Sequence, residues 1–461
     1  MGTNTLIEER PITMTLSIVR TLPAIILMVG SLTTRAAAQN VIRVDVSGPV
    51  ASLGDAVARA MPGDEIVVGS GTLVESGIVV DKPLAIRGEE GAVIESVKGD
   101  QIITILSDDV TIEGLTLKGV STSFVDDRSA IRVERAANCR IAGNRIDDGF
   151  FSIYLARATS CTIEDNVLTA SKGRQTQSGN GIHLWHSTDV DIRGNIITGH
   201  RDGIYLEFAS GVHVAGNRAS RNLRYGLHFM FSDDCDYDNN EFVDNEAGVA
   251  VMYSKNVSMR GNRFVDNWGP NAFGLLLKDI TDSSVSDNVF LRNTVGLYAD
   301  GANRITVHRN DFIENGRAVR IMANSLDSEF RHNNFSANTF DVTTNGKQSF
   351  SAFEQNFWDG YRGYDLDRDG IGDVPFYPVR LFALIVERNE PAIILMRSLF
   401  VDLLDAAERV VPLLIPKAVV DASPLMRPFS ADDRSARHVA VHHTKDLPMR
   451  TIPTNIEAWN R

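Results

Sequence analysis

The fold is decided by a stretch that the chain repeats in consecutive segments, Gly203-Ile-Tyr-Leu-Glu-Phe-Ala-Ser-Gly-Val-His-Val-Ala-Gly-Asn217 and then Gly226-Leu-His-Phe-Met-Phe-Ser-Asp-Asp-Cys-Asp-Tyr-Asp-Asn-Asn240. In both segments a glycine precedes an asparagine by 14 residues, and apolar residues alternate with other residues after the glycine and before the asparagine. Alternation with period two is typical of short strands that bury one face. The sequence therefore predicts a repeated unit of several short strands.

The asparagine of this unit recurs at intervals of 22 to 29 residues, and most intervals are 22 or 23. The positions are Asn144, Asn166, Asn195, Asn217, Asn240, Asn262, Asn288, Asn310, Asn333 and Asn356. A fixed period near 22 indicates a repeat architecture. Asparagine tolerates left-handed backbone and can hydrogen-bond a stacked asparagine. We predict an all-β chain that forms a right-handed parallel β-helix, a solenoid, over residues 39–358, with this asparagine at one corner of each coil.

The N-terminal residues predict export. Arg20 precedes the apolar run Leu22–Leu32, and Ala36-Ala-Ala38 follows it. A basic residue, a short apolar run and an A-x-A end are typical of a secretory signal, and the run is shorter than the ~20 residues of a membrane-spanning helix. We predict that residues 1–38 are a cleaved signal peptide.

The next segment, Ala51–Ala60, predicts a short helix that caps the open N-terminal end of the core, as solenoids require. The first coil is then expected to begin at Met61. The formal net charge of -13 argues against a nucleic-acid partner, because such proteins usually carry a basic stripe.

The three cysteines each lie five residues before a ladder asparagine, which is an inward position. We predict that Cys139, Cys161 and Cys235 are core residues. Cys139 and Cys161 fall in consecutive coils, so a disulfide between them is the alternative in an oxidising compartment.

The strand that follows the repeat glycine has an unusual outer side. If the first and third residues after the glycine point inward, the second and fourth point outward. The second positions are His183, Tyr205, His228, Ala250, Leu276 and Tyr298, and the fourth positions are Trp185, Glu207, Met230, Met252, Lys278 and Asp300. A shifted alignment adds Arg320 to the second positions and Met322 to the fourth. A solvated face would carry Lys, Glu, Thr and Ser, whereas a cluster of aromatic, His and Met residues usually marks a binding surface.

Thioether and imidazole groups together suggest copper, because soft ligands select Cu(I). Met230 and Met252 are expected about 4.8 Å apart in neighbouring coils. We predict copper ligands at His183, His228, Met230, Met252, Glu207 and Met322, and a docking surface at Trp185, His186, Tyr205 and Tyr298. Two alternatives stay open here: a loop that covers this strand and forms a second small core, and protein docking without metal.

Other histidines carry no such pattern. His213, His308 and His332 are predicted to face solvent near the corners, since no partner follows from their spacing.

An Asp-rich loop is expected at residues 359–380, after the last coil. Asp365, Asp367 and Asp369 alternate before Gly370, and Asp373 follows. This spacing resembles a calcium-binding loop, although the glutamate that a full EF-hand carries at its twelfth position is absent. A possible calcium site and a polar turn that closes the stack are the two interpretations.

Residues 381–428 have a different character. Leu381–Glu387 and Ala392–Val411 show helical spacing, and charged residues interrupt the second segment, so it is amphipathic and not membrane-spanning. Pro412, Pro416, Pro424 and Pro428 predict an extended run. This extension is expected to cap the β-helix or to dock on a membrane partner, and residues 429–461 are predicted to be disordered.

Together these features resemble the NosD family of periplasmic proteins that mature nitrous oxide reductase. The similar segments are Gly181-Ile-His-Leu-Trp-His-Ser187, Tyr225-Gly-Leu-His-Phe-Met-Phe-Ser-Asp233, Gly248-Val-Ala-Val-Met-Tyr-Ser254, Gly274-Leu-Leu-Leu-Lys-Asp279 and Gly296-Leu-Tyr-Ala-Asp-Gly301, with the Tyr364–Pro375 loop and the proline run through Pro428. The resemblance covers roughly Val41 to Pro428.

The resemblance implies a periplasmic protein that works with the ATPase and membrane subunits of an ABC transporter and contacts the membrane only through that transporter. It also implies a copper chaperone lipoprotein as the donor and apo nitrous oxide reductase as the recipient during copper–sulfide cluster assembly. No catalytic residues are implied, so we expect a protein that is not an enzyme. The alternative is a polysaccharide lyase or epimerase, a common use of the β-helix, which needs acid and base groups in a groove.

Overall fold

Short strands of alternating polarity stack in register and form three parallel sheets around one core. The structure, a computed structural model, describes residues 40–123, 125–170, 173–411 and 416–429. The predicted signal peptide, Pro412 and the predicted tail from residue 430 onward lie outside the described residues. Each coil runs through sheet 3, sheet 1 and sheet 2 in that order, and the same order returns in the next coil.

The described ranges contain 39 strands, which are numbered in chain order and divide among the three sheets. Sheet 1 contains β1 (Val41–Val44), β2 (Glu65–Val68), β5 (Ala85–Gly88), β8 (Thr111–Glu113), β11 (Arg140–Ala142), β14 (Thr162–Glu164), β17 (Asp191–Arg193), β20 (His213–Ala215), β23 (Asp236–Asp238), β26 (Ser258–Arg260), β29 (Ser284–Ser286), β32 (Thr306–His308), β35 (Leu326–Arg331) and β38 (Phe350–Glu354). Sheet 2 contains β3 (Gly71–Val74), β6 (Ala92–Glu95), β9 (Thr116–Lys118), β12 (Arg145–Gly149), β15 (Val167–Ala170), β18 (Ile196–Thr198), β21 (Arg218–Ser220), β24 (Glu241–Val243), β27 (Arg263–Val265), β30 (Val289–Leu291), β33 (Asp311–Ile313), β36 (Asn334–Ser336) and β39 (Phe357–Trp358). Sheet 3 contains β4 (Ile78–Val80), β7 (Ile103–Ile105), β10 (Ser129–Glu134), β13 (Phe151–Ala156), β16 (Ile182–Trp185), β19 (Asp202–Glu207), β22 (Tyr225–Met230), β25 (Ala247–Met252), β28 (Leu275–Lys278), β31 (Val295–Asp300), β34 (Arg317–Ile321) and β37 (Phe340–Thr344).

The helices lie at the two ends of the coils. They are α1 (Leu53–Arg59), α2 (Leu381–Arg388) and α3 (Leu399–Val410), and Gln175–Gln177 and Glu390–Leu395 form short 3-10 helices. The predicted fold class is therefore confirmed, including the capping helix and the helical C-terminal region. None of the helices in the described part of the chain is long and apolar enough to cross a membrane.

The core contains the residues that the alternation predicts. Leu227 and Phe229, the first and third residues after a repeat glycine, are fully buried. The apolar residues two positions after the ladder asparagines stack along the axis, in the order Phe242, Phe264, Phe290, Phe312, Phe335 and Trp358, with ring centroids 4.1 to 5.5 Å apart. Parallel strands in register place equal side chains above one another, so each flat ring packs on the next.

The asparagine ladder is present from Asn144 to Asn356. In a representative coil Asn240 Nδ2 donates to Val214 O at 2.8 Å and to Asn262 Oδ1 at 3.0 Å. The Asn240 carboxamide oxygen in turn accepts from the backbone N–H and the side chain of Asn217. The expectation that the asparagines themselves adopt left-handed backbone is wrong. The residue before each of them takes that conformation, for example Asn239 at φ 54°, because the chain turns before the amide enters the core.

The ladder ends on a residue from the C-terminal extension. Asp421 Oδ2 accepts hydrogen bonds from Asn356 N at 3.0 Å, Asn356 Nδ2 at 3.1 Å and Trp358 Nε1 at 3.0 Å. Asp421 is fully buried. The carboxylate thus satisfies the donors that the last coil would otherwise leave unpaired.

A second asparagine ladder, which the sequence analysis missed, lies at the corner between sheets 2 and 3. Its members each follow a residue of the first ladder by five positions, and they are Asn222, Asn245, Asn267, Asn293, Asn315 and Asn338. The constant offset of five residues between the two sets of asparagines was the sequence signal that could have revealed this second ladder. The two ladders together fix both ends of the sheet 2 strands.

Helix α1 lies between β1 and β2. Strand β1 adds one strand to sheet 1 ahead of the helix, and the first complete coil begins with β2, in the segment that follows Met61 as expected. Ser52 Oγ accepts from Asp55 N at 3.1 Å, and Glu75 accepts from Leu53 N at 2.8 Å. At the other end of the helix Lys82 Nζ donates to Val57 O at 3.1 Å. These contacts satisfy the unpaired groups at both helix ends.

The cysteines occupy the predicted inward positions. Cys139, Cys161 and Cys235 are buried, and all three are free thiols. A hydrogen bond between the Cys139 and Cys161 thiols raises the pKa of Cys139 and lowers that of Cys161. The disulfide that the sequence left as the alternative is therefore not formed in this structure.

Replacing Asn240 with alanine is expected to destabilise the coils strongly. The change removes four buried hydrogen bonds and leaves the Asn217 backbone N–H without its acceptor. Each lost hydrogen bond costs roughly 0.5–1.5 kcal/mol, and a donor left unpaired in the core costs more. We expect the free energy of unfolding to fall by about 3 kcal/mol or more, measured by circular dichroism in a denaturant titration. Asn271→Ala, at an exposed loop position, is the control and should change stability by less than about 0.5 kcal/mol. An equal effect of the two substitutions would contradict the role of the ladder.

His200 makes stability depend on pH. It is fully buried, its backbone N–H donates to Asn222 Oδ1, and its Nε2 lies 3.3 Å from Ser152 Oγ. Burial lowers the pKa of His200 to about 3. Between pH 6.5 and 3 the unfolded chain therefore binds a proton that the folded chain does not, and stability falls as pH falls. In His200→Gln, the slope of unfolding free energy against pH below 6.5 should be shallower by about 1.4 kcal/mol per pH unit. An unchanged slope in denaturant titrations at pH 6.5 and 4.5 would show that His200 is not the source of this pH dependence.

Candidate functional site

The outer face of sheet 3 carries the predicted copper and docking residues. Register pairs Tyr205 with His183 and with His228, and it pairs Met230 with Glu207 and with Met252. The second-position and fourth-position side chains therefore form two parallel columns, as the alternation predicts. The two columns differ in exposure, which decides what each can do.

Most of the second-position column is covered. His183, Tyr205, His228, Ala250 and Leu276 are all 9% exposed or less. Two small apolar clusters cover this face: one contains Phe150, Phe151, Tyr154, Ala156 and Trp185, and the other contains Tyr225, Ala247, Ala250, Met252, Phe273, Leu276, Val295 and Tyr298. The second small core, one of the alternatives left open by the sequence, is present over these positions.

The buried imidazoles and phenols form a stack. Tyr154, His183, Tyr205 and His228 follow one another with ring centroids 4.6, 4.8 and 4.7 Å apart. Tyr205 stands between the two histidines, so they lie two coils apart, about 9–10 Å by strand spacing. The structure therefore does not bring His183 and His228 together around one ion.

His183 lies beside the carboxylate of Glu207. Its Nε2 is 3.8 Å from Glu207 Oε2, and its Nδ1 is 3.4 Å from Asn180 Nδ2. Burial lowers the pKa of His183, while Glu207 acts in the opposite direction. A neutral imidazole is consequently expected at neutral pH.

His228 is held by a buried ion pair. Arg224 Nε donates to Asp202 Oδ1 at 2.8 Å, and Arg224 Nη2 lies 3.1 Å from His228 Nδ1. Nδ1 also lies 3.7 Å from Asp202 Oδ2. Burial also lowers the pKa of His228, against the opposing effect of Asp202. The ion pair thus engages Nδ1, whereas Nε2 is buried and has no hydrogen-bond partner among the described residues.

The fourth-position column is half-buried and reaches solvent. Met230 and Met252 are direct neighbours in β22 and β25, and we call them the thioether pair. Glu207 precedes the pair, while Lys278 follows it and bonds Asp300 at 2.8 Å. Met322 follows Ile321, whose partner is Ala299, so it lies three coils beyond Met252 and is not part of the pair's surroundings.

The sequence analysis missed an exposed aromatic row, which follows the fourth positions by one residue. His186, Phe208, Phe231 and Tyr253 stack with ring centroids 4.8, 5.2 and 5.0 Å apart, and we call them the aromatic row. All four adopt left-handed backbone, with φ between 48° and 54°. Exposed apolar rows of this kind usually mark an interaction site. The sequence signal that could have revealed this row is an aromatic residue or histidine directly after the fourth position in four consecutive coils.

The other predicted docking residues are less accessible. Trp185 is half-buried with the Arg157 guanidinium 4.4 Å from its ring, and Tyr298 is half-buried with that of Arg320 4.8 Å from its ring. Tyr205 belongs to the buried stack. Of the four predicted residues, only His186 lies on an exposed surface.

In the Asp-rich loop, one carboxylate oxygen each of Asp365, Asp367 and Asp369 comes within 4.8 Å of the others. The neighbouring Asp369 charge raises the pKa of Asp367. The carboxylate of Asp373 instead accepts a hydrogen bond from Leu366 N at 2.7 Å. Calcium binding by the first three residues stays a prediction.

The C-terminal extension packs on the last coils through α2. Phe382, Ala383 and Val386 are buried with Phe340 of β37. A buried ion pair between Arg320 and Glu387 fixes the contact, with Nε 3.0 Å from Oε1.

Helix α3 exposes an apolar face to solvent. Leu399, Leu403 and Val410 are 60 to 79% exposed, and Ile394 of the preceding 3-10 helix is 86% exposed. Like the aromatic row, this exposed apolar face in the described part of the chain has the character of a partner-binding surface.

Comparison with known proteins finds a family model that is similar to the central coils. Residues 169–363 match the sequence model of the family described as "Periplasmic copper-binding protein (NosD)". The matched segment includes the thioether pair, the aromatic row and the start of the Asp-rich loop.

Two curated relatives extend the similarity over most of the chain. A "Probable ABC transporter binding protein NosD" of Pseudomonas aeruginosa is 29% identical over 421 residues, 84% of this chain and 97% of the relative. A protein of the same description from Stutzerimonas stutzeri is 27% identical over 395 residues, 76% of this chain and 84% of the relative.

Solved structures share the fold alone. The family 28 exopolygalacturonase of Yersinia enterocolitica superposes with a TM-score of 0.54 at 11% identity, and covers 71% of this chain and 79% of its own. The match in the central coils and the two relatives that span most of its length show that the chain is similar to NosD proteins.

Proposed function

We propose that this chain is a non-catalytic periplasmic accessory protein that binds Cu(I) on the outer face of sheet 3 and passes it on during maturation of nitrous oxide reductase. In this proposal a copper chaperone lipoprotein is the donor, apo nitrous oxide reductase is the recipient, and an ABC transporter with its ATPase and membrane subunits is the partner complex. The family description supports copper binding in the periplasm, and the names of the relatives support a transporter partner.

The thioether pair is the observation that carries the proposal. Met230 and Met252 are adjacent in register, half-buried and next to solvent. Thioether sulfur is a soft ligand that selects Cu(I) over the harder divalent ions. Strand spacing of about 4.8 Å lets two flexible methionine side chains approach one ion.

The surroundings suit a cargo ion better than a permanently held one. Glu207 places a carboxylate one coil before the pair, and Lys278 on the other side is neutralised by Asp300. His183 and His228 are proposed to shape the floor of this surface, because the stack with Tyr205 keeps both beneath the cover. An ion held by two sulfurs at the surface can leave when a partner supplies further ligands.

The aromatic row borders the thioether pair and is our candidate for the docking surface. Phe231 and Tyr253 directly follow Met230 and Met252 in the chain. Large aromatic residues are enriched where protein partners bind most strongly. A donor or recipient protein seated on the row would bring its own ligands to the copper.

Replacing both Met230 and Met252 with leucine is expected to weaken Cu(I) binding by at least about tenfold, because leucine keeps the apolar volume and removes the sulfur. The measurement is an anaerobic Cu(I) titration of the purified chain against a competing chelator. Met322→Leu is the matched control, since Met322 has the same position in its coil but lies three coils away. Equal affinity of the double variant and the wild type would remove the thioether pair from the site.

The exposed apolar face of the C-terminal extension is proposed to bind the membrane subunit of the transporter. Leu399 and Leu403 lie one helical turn apart on the same side of α3. Deleting the extension would be a poor test, because Asp421 ends the asparagine ladder. Point substitutions on the exposed face avoid this difficulty.

The double substitution Leu399→Asp and Leu403→Asp should abolish co-purification with the transporter, because charge on a buried interface is costly. The matched control is Val79→Asp, which places a charge on an exposed apolar position of the coils, far along the chain. Retained co-purification of the double variant, at unchanged thermal stability, would exclude α3 as the contact.

A second candidate function, a carbohydrate-active enzyme, is favoured by one observation. A cleft of about 740 Å³ on the outer face of sheet 3 is lined by carboxylates and arginines, among them Asp100, Asp126, Asp127, Arg128, Arg132 and Glu134. Arg128 pairs with Asp100 at 3.0 Å, and Arg132 lies 3.6 Å from Glu134. Cleavage or epimerisation of uronic-acid polymers by the purified chain would favour this function over copper delivery.

A further inference from the structure

Sheet 1 contains a cluster of metal-ligating groups that copper delivery does not use. The register places His213 of β20 directly opposite Asp236 of β23, and Ala215 opposite Asp238. His213 Nδ1 contacts Asp236 Oδ2, and His213 Nε2 lies 3.6 Å from Asp238 Oδ1. One ligand atom of each residue lies within 4.8 Å of the others. His213 therefore does not stand alone in solvent, and the expectation that it has no partner is wrong.

The charge around this cluster differs from that of the rest of the sheet. Six of the other outward carboxylates on the sheet 1 strands have an arginine nitrogen within 4.0 Å, and Asp327 at the exposed start of β35 is the exception. The six are Glu65, Glu113, Glu164, Asp191, Glu329 and Glu354. Glu164, for example, lies 2.7 Å from both Arg140 and Arg193. Among the described residues, neither Asp236 nor Asp238 has a lysine or arginine nitrogen within 4.0 Å. Two carboxylates thus share a single imidazole where the pattern of the sheet would place an arginine.

The neighbouring residues leave the cluster without a basic partner. Ser258 follows Asp236 in the next coil, and Arg260 follows Asp238 but forms no ion pair with it within 4.0 Å. Ala215, opposite Asp238, carries only a methyl group, so the space beside the carboxylate is free for the His213 ring. The missing positive charge can be supplied by a cation from solvent.

The donor set indicates which cation. One imidazole nitrogen and two carboxylate oxygens suit borderline divalent ions such as Zn²⁺, which takes nitrogen at about 2.0–2.1 Å and carboxylate oxygen at about 2.0–2.2 Å. The three residues carry no sulfur, and Cys235, which precedes Asp236 in the chain, is buried in the core, so the cluster lacks the soft donor that Cu(I) favours. The half-exposed side chains can close from 4.8 Å to ligand spacing by rotating, and water can complete the coordination.

We propose that His213, Asp236 and Asp238 form a binding site for a borderline divalent cation, with Zn²⁺ as the ion of choice. The site lies on sheet 1, whereas the thioether pair lies on sheet 3, so it does not depend on the proposed copper function. The ion would link two adjacent coils and stabilise them, since any ion that binds only the folded state stabilises it.

The test is equilibrium dialysis of the full chain against Zn²⁺, with the bound metal measured by mass spectrometry, and a thermal melt with and without Zn²⁺. The His213→Ala variant and the Asp236→Asn, Asp238→Asn double variant should each lose one equivalent of bound Zn²⁺ and the Zn²⁺-dependent rise in melting temperature. His308→Ala removes an imidazole from the same face of sheet 1 and should keep both.

Metal-free melts in the presence of a chelator establish that each variant folds, because the three side chains are outside the core. Zn²⁺ binding and stabilisation equal to those of the wild type in His213→Ala and in the double variant would overturn the proposal, and the cluster would then be an ion pair of imidazolium with two carboxylates. Retained Cu(I) binding in both variants is expected, and it separates this site from the thioether pair.

Discussion

The asparagine ladder is the interaction on which the rest of the structure depends. Each ladder amide donates to a backbone carbonyl and to the next amide, as Asn262 does to Tyr237 O and to Asn288 Oδ1, both within 3.1 Å. A slip of one residue would break these bonds and turn every side chain of the coil to the opposite face. The ladder therefore decides which residues enter the core and which remain outside.

Register turns distance along the chain into proximity in space. Residues about 22 positions apart become neighbours at about 4.8 Å, which is why Met230 meets Met252 and His213 meets Asp236. The faces of one coil then carry different donors, with sulfur on sheet 3 and nitrogen and oxygen on sheet 1. Ligand softness selects the metal, so the two faces are suited to different ions.

The inward residues could be predicted from the sequence because their alternation is periodic; Leu227 and Phe229 are examples. The burial of His228 could not, because Tyr225 and Phe273 cover its column from elements whose connections vary in length. Asp421 ends the ladder from 65 residues beyond Asn356, a contact that no local pattern reveals. The partner of His213 was predictable in principle, since the repeat spacing places Asp236 opposite it.

The aromatic row shows where stability alone does not explain the sequence. Left-handed backbone costs an ordinary residue about 1–2 kcal/mol, and in the next two coils the same position holds Asp279 and Gly301, both at positive φ. Ring stacking offsets part of this cost, at about 0.5–1.5 kcal/mol for each pair, and it also holds the exposed ring edges in fixed positions. Such a surface is ordered before a partner arrives, which lowers the entropy lost on binding. Phe231 and Tyr253 of the row lie in the same two coils as the thioether pair, so in the proposed function the strained positions and the soft ligands form one surface for a partner that exchanges the ion.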